Sequence, residues 1–336
     1  MKDVYILAVE SSCDETSIAI VKNGKDVVGL ETYTQMDTHA LYGGVVPEIA
    51  SRMHTEAVTL VLDNLLKKTN FDLNDIDAVA VTYAPGLLGS LLVGIEFAKT
   101  VSYIYDKPLI KVNHMVGHIY ANNIEDKLEY PLLAMVVSGG HTELVEMTGD
   151  YDFKLLGSTM DDAIGEAYDK VAKVIGVPYP GGPNVEKLAK DGNTCYDLAK
   201  PVNDDSLNFS YSGLKSSVIN FVHNCKQRDE EINLNDLAAS FQYFAVDEVT
   251  RKVDLALSRK SYKMIVLAGG VSANKYLRSE VNKITEKHNV RLTVPKMLYC
   301  TDNAAMIGCA AYPLFVMKKN IADFNLNAKS HISTVE

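Results

Sequence analysis

Two stretches of the chain share one grammar: Val4–Tyr33, VYILAVESSCDETSIAIVKNGKDVVGLETY, and Pro131–Phe153, PLLAMVVSGGHTELVEMTGDYDF. Each reads as a β-prone run, a tight polar turn containing Thr, a second run, a glycine-marked turn and a third run. In the first copy Val4–Val9 and Ser17–Lys22 are predicted strands, Asn23-Gly24 reverses the chain, and a third strand runs to Tyr33. In the second, Leu132–Val137 leads through Ser138-Gly139-Gly140-His141-Thr142 to a strand ending at Met147, and Gly149-Asp150 turns into a third. Such a repeat predicts one α/β unit used twice rather than two unrelated domains.

Helices follow the first meander. Pro47 suits a first helical turn, and Ile49, Met53, Ala57, Leu60, Val61 and Leu65 recur at helical spacing. A short strand at Ala78–Thr82, the glycine-rich loop APGLLGS and an apolar helix towards Tyr105 come next. The expected division is therefore an N-terminal lobe, 1–130, and a C-terminal lobe, 131–336, with a helical insertion around 194–236 where the sequence turns polar and irregular.

The 336 residues carry 33 Lys plus Arg against 43 Asp plus Glu, a net charge of -10. That balance excludes a broad phosphate-binding face of the chain's own, so a nucleic-acid substrate would require help from partners. At 47% hydrophobic and 23% charged the chain is neither disordered nor fibrous. Its five cysteines, Cys13, Cys195, Cys225, Cys300 and Cys309, form no CxxC pair, which suits a reducing compartment. The apolar stretch Ala304–Met317 is too short to span a bilayer and contains Pro313, so a cytoplasmic location without membrane insertion is expected.

Several turns carry chemistry. ESSCDETS, Glu10–Ser17, packs Glu10, Asp14 and Glu15 among hydroxyls; it repels bare phosphate but suits one held through backbone N–H groups or a cation. VSGGHT offers glycines where a ligand approaches closely, although a hairpin needing positive φ explains them equally well. AGGVSANKYL, 268–277, runs from a strand into a helix whose first N–H groups could meet a nucleotide, but it matches neither GxGxxG nor a Walker loop. In NHMVGH, His114 and His118 stand four apart, on one helix face, the spacing of a metal pair or of a satisfied polar surface. The best third ligand is Asp302 in YCTDNAAM, exposed at a helix mouth; His, His and Asp would leave coordination positions open. A zincin protease is excluded because Met115 stands where HExxH has its base. Asp169 in GEAYDKVAK and Glu186 after YPGGP could grip ribose hydroxyls, or simply pair with Lys170, Lys173 or Lys190. Arg251, Lys252, Arg259, Lys260 and Lys263 form a local basic group, a tRNA edge or the solvated face of a helix.

Taken together, ESSCDETS, VPEIASRMH, APGLLGSLLVG, NHMVGH, VSGGHTELV, GEAYDKVAK, YPGGP, FSYSGLKS, AGGVSAN and TDNAAMIG resemble, in order and over almost the whole chain, the bacterial tRNA N6-adenosine threonylcarbamoyltransferase (TsaD) family. The resemblance implies a duplicated actin/Hsp70/sugar-kinase (ASKHA) α/β fold, ribonuclease H-like, in two lobes with the nucleotide in a central cleft. It implies transfer of threonylcarbamoyl from threonylcarbamoyl-AMP to N6 of the adenosine 3′ of the anticodon, position 37, in tRNAs reading codons that begin with adenine. The products are t6A and AMP. One divalent metal per chain is implied, iron first and zinc as the alternative, on His114, His118 and Asp302. Val137, Ser138, Gly139, Gly140 and His141 would face phosphate and acyl group; Asp169, Gly182, Glu186 and Asn274 would line adenosine and ribose; Ser12 and Glu15 fall on positions important for activity. The proton acceptor is left open among Glu15, Asp14 and water. The implied partners are tRNA, a TsaB-like paralogue and a TsaE-like P-loop ATPase. An ATP-dependent phosphotransferase or ATPase of the same fold is the competing function. A non-enzymatic subunit would have no need of the metal triad.

Overall fold

The structure, a computed structural model, describes residues 2–200 and 204–335; residues 201–203, inside the expected insertion, lie outside the described residues. Two compact units result, one of 1–128 with 295–336 and one of 129–294.

In the first unit β1 (Tyr5–Glu10), β2 (Glu15–Lys22) and β3 (Asp26–Thr34) form the expected antiparallel meander. A short α1 (Met36–Ala40) and the long α2 (Pro47–Thr69) follow, then β4 (Ala78–Ala84), α3 (Leu88–Tyr105), β5 (Leu109–Asn113), α4 (His114–Tyr120) and α5 (Asn122–Glu125). β1 pairs parallel with β4, and β4 with β5.

The second unit repeats this. β6 (Leu132–Val137), β7 (Thr142–Gly149) and β8 (Asp152–Ser158) form the meander. Then come α6 (Ile164–Val174), α7 (Gly181–Ala189), α8 (Ser212–Gln227), α9 (Leu234–Arg259), β9 (Met264–Ala268), α10 (Lys275–Lys287) and β10 (Arg291–Thr293). β6 pairs parallel with β9, and β9 with β10. The sheet orders β5-β4-β1-β2-β3 and β10-β9-β6-β7-β8 superpose strand for strand in connectivity. The central strands β1, β4, β6 and β9 are buried along almost their whole length, as parallel pairing with helices on the faces requires.

The C-terminal segment corrects the expected boundary. α11 (Met297–Cys300), α12 (Ala304–Met317) and β11 (Ile321–Ala322) belong to the first unit. α12 packs on β1, β2 and α4, and β11 pairs with β5. The cause is apolar surface: nine residues of α12, from Ala304 to Leu314, are buried, and small side chains such as Gly308 and Ala310 let it lie close to the sheet. All five cysteines are free. No helix among the described residues is long and apolar enough to cross a membrane.

Candidate metal centre and nucleotide pocket

β5 ends in Asn113, whose side-chain oxygen accepts from the N–H groups of Met115 and Val116 and starts α4. Such a cap stabilises a helix by about 1 kcal/mol and sets where its first residue points. That residue is His114; one turn later comes His118, and both imidazoles are buried. The spacing expectation holds, and the polar-surface alternative does not. Asp302 precedes α12, whose cap is Asn303, and its carboxylate is about a fifth exposed (21%) rather than lying open to solvent. His118 Nε2–H donates to Asp302 Oδ1 at 3.1 Å, and His114 Nε2 lies 3.4 Å from the same oxygen. One donor atom from each of the three residues falls within 4.8 Å of the others.

These residues fit a divalent cation. Two imidazoles and one carboxylate suit iron or zinc, whereas Mg²⁺ prefers an all-oxygen set. Burial pulls His114 down but Asp302 and Glu10 hold it well above its usual range, while burial pulls His118 down. Burial pushes Asp302 up, but the two imidazoles hold its carboxyl far below the usual range.

The ESSCDETS loop lies against this cluster. Ser12 Oγ is 3.1 Å from His114 Nδ1, and its N–H donates to Glu10 Oε1 at 2.6 Å. Half-buried Glu15 is held well above the carboxylate range by burial and by the negative charges of Asp302 and Asp14. The loop is clamped from APGLLGS: Leu87 N–H donates to Ser12 O at 2.8 Å, and Ser11 Oγ to Ser90 O at 2.9 Å. Gly86 is there for close approach, since a Cβ on it would stand 2.6 Å from Ser12 O. Sequence reasoning assigned Glu10, Asn113 and Gly86 no individual role. An Asn directly before a helix is a legible cap signal, but nothing in the sequence shows which histidine Glu10 meets.

In the second unit Val137 ends β6, and Ser138–His141 form its turn to β7. Ser138 N–H donates to His141 O at 2.8 Å, and His141 N–H to Ser138 Oγ at 3.0 Å. Neither Gly139 nor Gly140 has positive φ, and a Cβ on either would meet nothing within 4 Å. The hairpin explanation of these glycines therefore fails. Asp169 and Glu186 pair with none of the lysines expected of them. Asp169 accepts from the Gly181 N–H at 2.8 Å and from that of Gly182, capping α7, and burial raises its carboxyl. Glu186 on α7 accepts from the Lys275 N–H at 2.7 Å. Asn274 is the cap of α10, accepting from Leu277 N–H at 2.8 Å and donating to Gln242 at 2.9 Å. Two of the α10 N–H groups expected to meet a nucleotide are thus already taken. Around this α7–α10 junction lies a cavity of ≈ 600 Å³ lined by Pro183, Glu186, Lys187, Gln242, Lys275 and Tyr276 among others.

Several members of the basic group are engaged within the fold, while Arg259, Lys260 and Lys263 stay exposed, as the solvated-face reading expects. Lys252 is buried and donates to Asp204 Oδ1 at 2.6 Å and Ser206 O at 2.7 Å. Arg251 pairs with Glu248, Arg259 with Asp205 O, and Lys260 with Glu146. These cations fasten the 204–206 segment and the end of α9.

Comparison with known proteins bears on the whole chain. The family model described as TsaD, tRNA N6-adenosine threonylcarbamoyltransferase, matches residues 26–309. The tRNA N6-adenosine threonylcarbamoyltransferase of Staphylococcus carnosus is 48% identical over 332 residues, covering 98% of this chain and 96% of that protein. The enzyme of that name from Staphylococcus aureus is 47% identical over 336 residues, covering 100% and 98%. Among solved structures, full-length HypF (TM-score 0.63, 14% identity, 95% of this chain and 47% of that one) shares the fold. So does the Acidaminococcus fermentans (R)-2-hydroxyglutaryl-CoA dehydratase component A (TM-score 0.53, 14% identity, 92% and 98%). With its twice-used β-meander unit of the ASKHA type and its match to the TsaD model over most of its length, this chain belongs to the tRNA N6-adenosine threonylcarbamoyltransferase family, a family of acyltransferases.

Proposed function

We propose that the chain transfers threonylcarbamoyl from threonylcarbamoyl-AMP to N6 of adenosine 37 in tRNAs reading codons that begin with adenine, forming t6A and releasing AMP. The observation that carries this reading, beside the family, is the convergence of His114, His118 and Asp302 on one point. In the reaction N6 attacks the carbamoyl carbon, the new N–C bond forms, and the bond to phosphate breaks with its electron pair leaving on AMP. The donor is already activated, so positioning and charge neutralisation carry most of the work.

His114, His118 and Asp302 would hold Fe²⁺, or alternatively Zn²⁺, which when bound supplies Lewis-acid polarisation of the donor's oxygens. The Ser138–His141 turn presents its open glycines to phosphate and acyl group. The cavity beside α7 takes adenosine, its walls shaped by Asp169, Gly182, Glu186 and Asn274; ≈ 600 Å³ is in the range of small-ligand sites. Glu15, whose carboxyl burial and the charges of Asp302 and Asp14 hold above its usual range, accepts the N6 proton. Ser12 holds the loop against His114. With a net charge of -10 and several of its α9 cations engaged within the fold, the chain binds tRNA with the help of a TsaB-like paralogue and a TsaE-like ATPase, in the cytoplasm.

The test is to supply preformed threonylcarbamoyl-AMP and tRNA to the protein with those partners. t6A and AMP should appear in equal amounts, and Asp302→Ala should abolish both. His114→Ala with His118→Ala should remove bound metal by elemental analysis. Transfer of ATP's γ-phosphate to a small acceptor, with no label reaching tRNA, would replace this reading by the kinase one.

A further inference from the structure

We infer that Glu10 is the positioning residue of the metal centre: its carboxylate fixes the proton of His114 on Nδ1 and so leaves Nε2 to face the cation. The inference rests on the metal reading above and deepens it.

Glu10 is the last residue of β1 and is fully buried. A carboxylate there is costly unless its lone pairs are filled, and here three donors fill them. Ser12 N–H donates to Oε1 at 2.6 Å, Thr82 Oγ1 donates to Oε2 at 2.6 Å, and His114 Nδ1 donates to the same Oε2 at 3.0 Å. An ionised carboxylate can only accept, so Nδ1 must carry the hydrogen. In the neutral imidazole that a metal requires, Nε2 is then the lone-pair nitrogen, and it is the one facing Asp302. His118 has no such support: its Nδ1 is buried without a hydrogen-bond partner among the described residues. Of the two rings, His114 is the one whose Nδ1 a hydrogen bond fixes.

Glu10→Gln sharpens the argument because it changes no shape. The amide must present NH2 either to the Ser12 N–H, donor against donor, or to His114 Nδ1. In the second arrangement Nδ1 becomes the acceptor and the ring proton moves to Nε2, where it blocks coordination. Removal of such an outer partner typically costs tenfold to a hundredfold in metal affinity.

The dissociation constant for Zn²⁺ would be measured by chelator competition on the full chain. Glu10→Gln should weaken binding by about 10–100-fold with the melting temperature of the metal-free protein little changed. Thr82→Val, which removes a neutral donor from the same oxygen, should weaken it far less. His114→Ala separates the two claims. If it leaves Zn²⁺ binding intact, the metal reading fails; if it abolishes binding while Glu10→Gln does not weaken it, the role of Glu10 fails. A check needing no variant is the ring ¹⁵N spectrum of the zinc-saturated wild-type protein. His114 should show a protonated Nδ1 and a coordinated Nε2; coordination through Nδ1 would overturn the inference.

Discussion

Gly86→Ala tests whether the ESSCDETS loop is held in place from outside its own sequence. An alanine Cβ would stand 2.6 Å from Ser12 O, 2.8 Å from Ser12 Cβ and 3.1 Å from Ser12 Cα, against ordinary contacts of 3.4–4 Å. Most of that obstruction is backbone, so no rotamer change relieves it. The strand end must move by roughly 1 Å, weakening the Leu87 N–H to Ser12 O bond and displacing Ser12 from His114. Overpacking of this kind costs about 1–3 kcal/mol of stability. A displacement of about 1 Å at reacting groups costs on the order of a hundredfold in rate. Denaturant unfolding should show that stability loss with an unchanged m-value. Single-turnover t6A formation in the presence of the partner proteins should fall about a hundredfold. Wild-type stability together with a wild-type rate would refute the reasoning, since it would mean that the loop yields freely and that close approach is not why a glycine stands there.

Lys252→Met should leave tRNA affinity of the assembled complex unchanged, as measured by filter binding, because this cation is spent on Asp204 and Ser206; a marked loss of affinity would restore the tRNA-edge reading. Its effect on stability should be small, since the methionine keeps most of the buried volume and Asp204, with 42% of its side chain exposed, is not left as an orphaned buried charge. Asp161 accepts from the hydroxyls of Ser210 and Ser212 and from the N–H groups of Tyr211 and Ser212 at the start of α8, and despite partial burial these donors lower its pKa. Asp161→Ala should therefore destabilise the protein by about 1 kcal/mol near neutral pH. A group with a depressed folded pKa stabilises above its unfolded value, about 3.9, and loses that contribution as pH falls through the folded one. The gap between wild type and variant in thermal melts should close in that acid window; a gap constant with pH would remove the ionised cap from the account.

Local pattern made the two meanders legible, because alternation and turn chemistry act over a few residues: β1–β3 and β6–β8 lie where the sequence puts them, within a residue or two at their ends. The same holds for the His114–His118 pair, since helical spacing alone places both rings on one face. What needed tertiary structure were the partners of charged groups. A carboxylate in a sequence could pair with a neighbouring lysine, cap a distant helix or support a ligand, and these options differ by interactions between residues far apart in the chain. Asp169 and Glu186 cap α7 and α10 instead of pairing with the nearby lysines, and the α9 cations hold residues 204–206 and Glu146. Glu10 meets His114 across 104 positions because β1 and the β5–α4 junction reach the same end of one sheet, and α12, returning from the C-terminus to cover its apolar face, brings Asp302 there. Spacing was enough to put the two histidines on one helix face and to offer Asp302 as a third candidate, but only the packing of sheet and helix decided which carboxylates meet them.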